Sequence, residues 1–338
     1  MLAASLEKYY HLERITDSSR WLALRYLSIA LRYPTLLWKR YDLCVAGFVG
    51  HPLVPMLRLF TRKPILFDAF ISIYDTLVYD RRRISPHSPL ARLAFAMDKT
   101  SCSLADFVLV DTHAHAQYFH NTFGIPLEKI KVLLVGCDET LFFPRPTPPD
   151  PNLVLYYSSF LPLHGTEIVV RAAHLLQEQK PNLRFHIIGS GIESKHIQNL
   201  VEQLGVKNVL FSRPVPLKQL PDHIAEAALC LGGHFGSSEK AGRVIAGKTF
   251  QCLGMGKPTI VGENAANHEL LTHAKDAWFC SMNDPLALAE AIHFLIDRPE
   301  ISSQLGYEAH STFLNRASYQ VLGEELHAII ERVLANRP

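Results

Sequence analysis

The sequence predicts an α/β protein made of two Rossmann-like parallel-sheet domains, and three observations carry that prediction. From Tyr41 onward, short apolar runs alternate with longer helical stretches, as in strands joined by crossover helices. The rhythm breaks once, at Phe143-Pro-Arg-Pro-Thr-Pro-Pro-Asp-Pro151, where five prolines in nine residues can continue neither a helix nor an inner strand. A length of 338 residues with 48% hydrophobic composition suffices for two ordinary cores.

In the first half, strands are expected at Leu43 to Phe48, Pro64 to Phe67, Phe107 to Val110 and Lys131 to Val135. Helices are expected near Pro52 to Leu59, Leu90 to Ser103 and Ala114 to Phe123, with Asp111 as N-cap of the last. The second half repeats the rhythm more clearly. Its strands are expected at Leu153 to Tyr157, Arg184 to Ile188, Val209 to Phe211, Ala228 to Leu231, Thr259 to Val261 and Ala277 to Cys280. Helical stretches near Pro285 to Ile296, Glu300 to Leu314 and Tyr319 to Ala335 close the chain. The domains are therefore expected at 1–144 and 152–315, with a linker at 145–151 and a closing helix in 316–338 free to cross back to the first domain. No low-complexity tract or fixed-period repeat is present.

Composition narrows the function. With 34 basic and 32 acidic residues, the chain is too balanced for a nucleic-acid binder, so an anionic partner must be met locally. The six cysteines show no CxxC spacing and read as reduced core thiols, which fits a cytoplasmic location. No apolar signal segment opens the sequence. The stretch Trp21 to Trp38 is interrupted by Arg25, Arg32 and Pro34, which argues against a spanning helix. Leu22, Leu24, Leu27 and Leu31, set among Arg20, Arg25, Arg32, Lys39 and Arg40, suit a basic amphipathic helix lying peripherally on the inner membrane face. The competing account is a core-packing helix with a solvated basic face.

The most informative segment is Ile245-Ala-Gly-Lys-Thr-Phe-Gln-Cys-Leu-Gly-Met-Gly-Lys-Pro258. It reads as a loop that delivers Lys248 to a helix N-terminus, where free N–H groups and the dipole favour a diphosphate. Three strand-end turns accompany it: Ser158 to Gly165, Gly189-Ser-Gly191, and Gly232 to Gly242 with Glu239 and Lys240. Glycine and serine let backbone N–H groups approach an anion closely. Structural turns of this kind are also common, so the weight rests on four such elements occurring in order on one sheet. In the first half, His51 and Asp68 follow strands and are candidates near an acceptor, with a buried, hydrogen-bonded aspartate as the alternative for Asp68. His113 and His115 are poorly spaced for metal ligation from one helical face, and no metal site is expected.

On these residues the sequence resembles the retaining GT-B glycosyltransferases (glycosyltransferase family 4, glycosyl transferases group 1). The order of elements matches from about Pro64 to Leu295: a turn ending His164-Gly165 where the family has Lys-Gly, the Ile188-Gly-Ser-Gly191 turn, an acidic loop, and a helix ending Gly256-Lys257-Pro258. Val135-Gly-Cys-Asp138 and Phe142-Phe-Pro144 resemble the family's interdomain turn and link. The resemblance implies two Rossmann-like domains facing a cleft and a nucleoside-diphosphate-sugar donor. It further implies a glycan or lipid-linked acceptor, retained configuration and no metal or other cofactor. Ser159, His164, Gly165, Gly189, Gly191, Arg243, Lys248, Thr249 and Gln251 would bind donor, with Glu239 and Lys248 catalytic.

Departures mark a divergent branch. Counting back from Pro258 places Gln251 and Arg243 where the family keeps its two glutamates. The Gln251 amide can still reach ribose hydroxyls, and Glu239 is the acidic group available to take the sugar-facing role. Phe160 and His164 stand at the usual arginine and lysine positions, so Lys248 is the chief phosphate cation, with Arg243 or Lys240 as helpers. Met1-Leu-Ala-Ala-Ser-Leu-Glu-Lys-Tyr-Tyr10 stands where relatives open with a strand, a Gly-rich turn and a helix, so the first βα unit is missing. The sequence is then either a fragment or a chain whose N-terminal helices cover the exposed sheet edge. Two other readings of the same fold stay open: a nucleotide-sugar epimerase, and an inactive subunit that binds a nucleotide sugar or a partner.

Overall fold

The computed structural model describes residues 6–19, 21–32, 41–47 and 49–335, with Leu22 and Ala23 described by backbone alone. The end of the first expected strand at Phe48 and the basic residues Arg20, Lys39 and Arg40 lie outside these residues. The chain divides into two compact units, Met1–Leu134 with Leu322–Pro338, and Val135–Val321.

The first unit holds a parallel sheet of β1 (Cys44–Ala46), β2 (Ile65–Asp68), β3 (Phe107–Val110) and β4 (Ile130–Val132), ordered as in sequence. Among the described residues no strand precedes β1. Helix α1 (Leu22–Arg32) comes before it, and the crossovers are α2 (Leu53–Phe60), α3 (Pro89–Leu104) and α4 (His113–Phe123). Every crossover steps the same way, and right-handed connections then place all three helices on one face. Alternate strand residues bear this out. Ile65, Phe67, Val108 and Val110 pack with Val54, Leu57, Cys102, Phe119 and Phe123, whereas Leu66 and Leu109 point to the other face. That second face is covered by Leu322, Leu326 and Ile330 of α11 (Tyr319–Ala335), together with Leu6. Tyr10 fixes the N-terminal segment to the same helix, donating to Glu331 Oε1 at 2.8 Å and meeting His327 Nδ1 at 2.7 Å.

Three local details differ from expectation. The N-cap of α4 is Thr112, which accepts from His115 N at 3.0 Å, because Asp111 is engaged with His115 Nδ1 at 2.6 Å. The segment Ile73–Asp80, for which the pattern predicts no element, forms a helical turn running into a π turn. Buried Asp98 organises it, accepting from Ser72 Oγ, Ile73 N and Tyr74 N. Trp21, just before helix α1, and Leu24, Leu27 and Leu31 on it are exposed, so this face is not packed into the core. Among the described residues no helix is long and apolar enough to cross a membrane.

The second unit is built on a six-stranded parallel sheet: β5 (Asp150–Ser158), β6 (Arg184–Gly189), β7 (Val209–Ser212), β8 (Ala227–Leu231), β9 (Thr259–Gly262) and β10 (Trp278–Cys280). Its order is β10-β9-β8-β5-β6-β7, a doubly wound sheet. The proline-rich segment runs into this sheet sooner than its composition suggests. Asp150 already pairs with Ala227, and a register shift before Val154 accommodates Pro151, which cannot donate to the ladder. Helices α5 (Thr166–Leu176), α6 (Ser194–Leu204), α7 (Leu220–Glu226), α8 (Gly247–Gly254), α9 (Pro285–Ile296) and α10 (Pro299–Arg316), with a single helical turn at Ala265–His268, complete the unit. The core joins Val154, Tyr156, Phe185 and Ile187 of the sheet to Val169, Ala173 and Leu176 of α5 and to Leu288 and Ile292 of α9.

Candidate functional site

In open α/β sheets, ligands gather beyond the strand C-termini where the winding reverses. In the second unit the reversal lies between β5 and β8, and two loops leave it, 159–165 and 232–246. They are joined backbone to backbone. Tyr156 OH donates to His164 O at 2.8 Å, Phe235 N to the same oxygen at 3.3 Å, and Gly236 N to Leu163 O at 3.2 Å. A Cβ on Gly236 would stand 2.1 Å from Pro162 O, and one on Gly165 2.4 Å from Gly236 N, so the approach requires glycine on both sides. The result is a parallel stack of His164 and His234, with centroids 5.3 Å apart and ring planes 8° apart.

Lys248 joins this pair from α8. The helix starts after Ala246 with no side-chain cap, and of its first-turn N–H groups Thr249 N donates to Ala246 O at 2.9 Å, which leaves those of Gly247 and Lys248 for a ligand. Thr249 Oγ1 donates to Gly232 O at 3.3 Å and pins the helix start to the loop after β8. Lys248 Nζ lies 5.1 Å from the Tyr156 ring centroid, and a Cβ on Gly233 would come within 3.3 Å of it. The side chain is 7% exposed, and among the described residues no carboxylate pairs with it.

Burial therefore sets the electrostatics. Desolvation lowers the Lys248 ammonium from 10.5 to about 8, which still leaves it mostly protonated at neutral pH. His164 is pushed down to about 2, first by burial and then by the Lys248 charge. His234, 5% exposed, is held well below the usual imidazole range by burial, then by Lys248, His164 and Lys240. Both rings are thus neutral, and each keeps a buried Nδ1 without a hydrogen-bond partner. A buried cation without a counter-ion, two unsatisfied imidazoles and an uncapped helix start all ask for the same thing, a compact anion rich in acceptor oxygens.

The other residues singled out from the sequence have varied surroundings. Gly189 and Gly191 are small because the preceding turn crosses them: a Cβ on either would lie 1.9 Å from Ser158 O or Ser159 O. Gly191 N–H is already donated to Ser194 Oγ at 2.8 Å, and Ser159 itself is exposed. Gln251 Oε1 accepts from Tyr157 OH at 2.8 Å, which leaves the amide nitrogen for a ligand. Glu239 sits on a short 3-10 turn with its side chain 83% exposed and pairs with Arg243 Nη1 at 3.1 Å, not with Lys248. In the first unit, His51 is fully buried with Nε2 3.0 Å from Asp98 Oδ1 and its ring edge-on to Phe67. Asp68, at the end of β2, accepts from Phe70 N at 3.3 Å and is raised to about 6, chiefly by desolvation. His234 was not singled out by its chemistry in the sequence; only its Gly-rich surroundings signalled a ligand loop.

Two parallel-sheet α/β units, with an anion-receptive switch point in the second, place the protein in the GT-B class. The chain belongs to the glycosyl transferases group 1 family, whose sequence profile matches residues 138–312, more than half the chain. It is 23% identical over 257 residues to the GDP-mannose-dependent alpha-(1-6)-phosphatidylinositol monomannoside mannosyltransferase of Mycolicibacterium smegmatis, covering 72% of this chain and 65% of that protein. It is 25% identical over 191 residues to the lipopolysaccharide core biosynthesis glycosyltransferase LpsD of Rhizobium meliloti, covering 56% and 52%. The chain thus spans about half to two thirds of the length of these relatives. Among solved structures, sucrose-phosphate synthase from Thermosynechococcus elongatus superposes with a TM-score of 0.74 at 16% identity, covering 92% of this chain and 78% of that one. Anabaena HepE in complex with UDP-glucose gives 0.73 at 16% identity, covering 98% and 88%. These likenesses carry the fold.

Proposed function

We propose that this chain transfers a sugar from a nucleoside-diphosphate sugar to an acceptor hydroxyl with retention of configuration and without a metal. One observation carries the reading: Lys248, buried and, among the described residues, without a counter-ion, beside His164 and His234 at the switch point of the second sheet. In the reaction the acceptor oxygen bonds to the anomeric carbon on the leaving-group face. The bond from that carbon to the diphosphate breaks with its electron pair on the phosphate oxygen, which takes up the acceptor's proton. Lys248 and the α8 N–H groups stabilise the charge that develops there, without reorganising. Glu239 is the acidic group on the adjoining loop and His51 and Asp68 are the acceptor-side candidates, all as roles for mutagenesis to test.

Relatives supply the substrate classes. A GDP-mannose-dependent enzyme acting on a phosphatidylinositol mannoside and a HepE complex with UDP-glucose support a nucleotide sugar and a lipid-linked or glycan acceptor. The exposed Trp21, Leu24, Leu27 and Leu31 next to Arg25 and Arg32 support peripheral contact of a cytoplasmic protein with the inner membrane face. A second reading, a nucleotide-sugar-binding subunit without turnover, is favoured by Gln251 at a glutamate position and by the pairing of Glu239 with Arg243. Calorimetric titration with UDP, GDP and ADP sugars, with Lys248→Ala as control, tests the site. Binding by none of them, or undiminished binding by the variant, refutes it, and product formation with candidate acceptors separates enzyme from binding subunit.

A further inference from the structure

The Lys248 ammonium suffices to attract a diphosphate, yet the chain buries two imidazoles beside it. A buried ammonium lowers the proton affinity of neighbouring bases and so keeps both rings neutral, and the cost of the arrangement is two buried ring nitrogens left without a hydrogen bond. His234 and His164 are held in that place by the glycine-to-glycine contact of their loops and by Tyr156 OH on His164 O. Each retains an Nδ1 that neither protein nor solvent reaches. The charged and titratable groups acting on them are Lys248 for both, with Lys240 and the partner ring also acting on His234. Among the described residues neither imidazole has a carboxylate partner.

We infer that the His164–His234 pair is a proton-accepting part of the diphosphate site, so that donor binding takes up about one proton from solvent. The inference rests on the donor-site reading above. A neutral imidazole has one N–H and one lone pair, so in either tautomer only one of its nitrogens can donate to a phosphate oxygen. Protonation makes both nitrogens donors and a hydrogen bond to phosphate charge-assisted. The two negative charges of a bound diphosphate oppose both causes that keep the rings neutral, burial in a dry site and the nearby Lys248 charge. One proton shared by the stacked pair is the natural stoichiometry, since a second would set two imidazolium rings against each other. His234 is thus assigned a role in ligand binding that its place in a Gly-rich loop does not disclose.

The experiment measures UDP-glucose and GDP-mannose binding by calorimetry at pH 6.5 in buffers of different ionisation enthalpy. These donors are diphosphate diesters with no phosphate titrating near neutral pH, so protons taken up come to the protein. The expected slope is about one proton per ligand for the unmutated protein, falling below about half in His234→Gln and in His164→Gln, with binding weakened about tenfold. On the unmutated protein, histidine side-chain nitrogen shifts read the same event: addition of ligand moves one histidine signal, or an averaged pair, to the imidazolium pattern. Binding with no proton uptake and no histidine shift overturns this inference alone. Uptake that persists undiminished in both variants does the same. Failure of both nucleotide sugars to bind overturns the donor-site reading, and this inference with it.

Discussion

Replacing Lys248 by methionine is expected to stabilise the ligand-free protein while abolishing its affinity for nucleotide sugars. Lowering the ammonium from 10.5 to about 8 means that keeping it charged in the folded state costs about 3 kcal/mol at neutral pH, at about 1.4 kcal/mol per pH unit. The sign follows from linkage: below pH 8 both folded and unfolded lysine are protonated and the full penalty applies, and it is relieved as pH rises from 8 to 10.5. Against this stands the contact of Nζ with the Tyr156 ring at 5.1 Å, worth about 1 kcal/mol where partly desolvated. Methionine fills a similar volume without charge. The net gain is about 2 kcal/mol, or a rise of roughly 4–8 °C in the melting temperature of a unit of this size. Thermal unfolding at pH 7 with and without UDP-glucose is the assay. Saturation to about 100 times Kd adds about 2.7 kcal/mol to a binding-competent protein, and the variant is expected to show none of it. A variant that melts lower than the unmutated protein, or that keeps the ligand-induced rise, refutes the assignment of Lys248 as a strained anion anchor.

Four further predictions follow from the same structure. With about one proton taken up on binding, UDP-glucose affinity is expected to fall by about tenfold per pH unit around pH 6.5, and loss of the Lys248 proton adds a limb of up to about tenfold per pH unit above pH 8, which calorimetry across pH 6 to 10 reads directly. His164 and His234 are neutral when folded and protonated when unfolded in acid, so ligand-free stability is expected to decline below about pH 6.5 by up to about 1.4 kcal/mol per pH unit for each ring; His164→Gln/His234→Gln should flatten this limb in urea unfolding. Gly236→Ala places a methyl 2.1 Å from Pro162 O and should lose several kcal/mol, whereas Gly242→Ala, with open space around it, should melt within about 2 °C of the unmutated protein. If the exposed face of α1 meets anionic lipid, Leu27→Asp/Leu31→Asp abolishes sedimentation with phosphatidylglycerol vesicles while leaving melting unchanged, because both side chains face solvent.

The alternation of strand and helix was legible because parallel strands buried on both faces, such as Ile65-Leu66-Phe67 and Thr259-Ile260-Val261, are apolar throughout and short. Helix ends were readable wherever a local residue decides them, as with Pro285 after Asp284, whose side chain accepts from Leu286 N and Ala287 N. The competition between Asp111 and Thr112 for the start of α4 was not readable, since it turns on a contact with His115 that needs the helix to exist. Lys248 could be picked out because a lysine beside glycine at a helix start is electrostatically poor without an anion. His234 could not, because its meaning comes from His164, brought alongside only by the topological reversal between β5 and β8. Gly189 and Gly191 were singled out because glycine lets backbone N–H groups approach an anion closely, yet what demands them is the passage of the Ser158 and Ser159 carbonyls.

The cover that α11 gives the first sheet also sets a timetable for the nascent chain. Leu66 and Leu109 leave the ribosome early but find their partners Leu322, Leu326 and Ile330 only after the whole second unit, Val135–Val321, has been made. At about 5–20 residues per second, that interval lasts roughly 10–40 s, during which one face of the N-terminal sheet lacks the cover of α11. The second unit is contiguous in sequence and can fold inside the interval. Synthesis therefore allows the later-made half to fold first, and the earlier half closes its second face only once α11 has emerged.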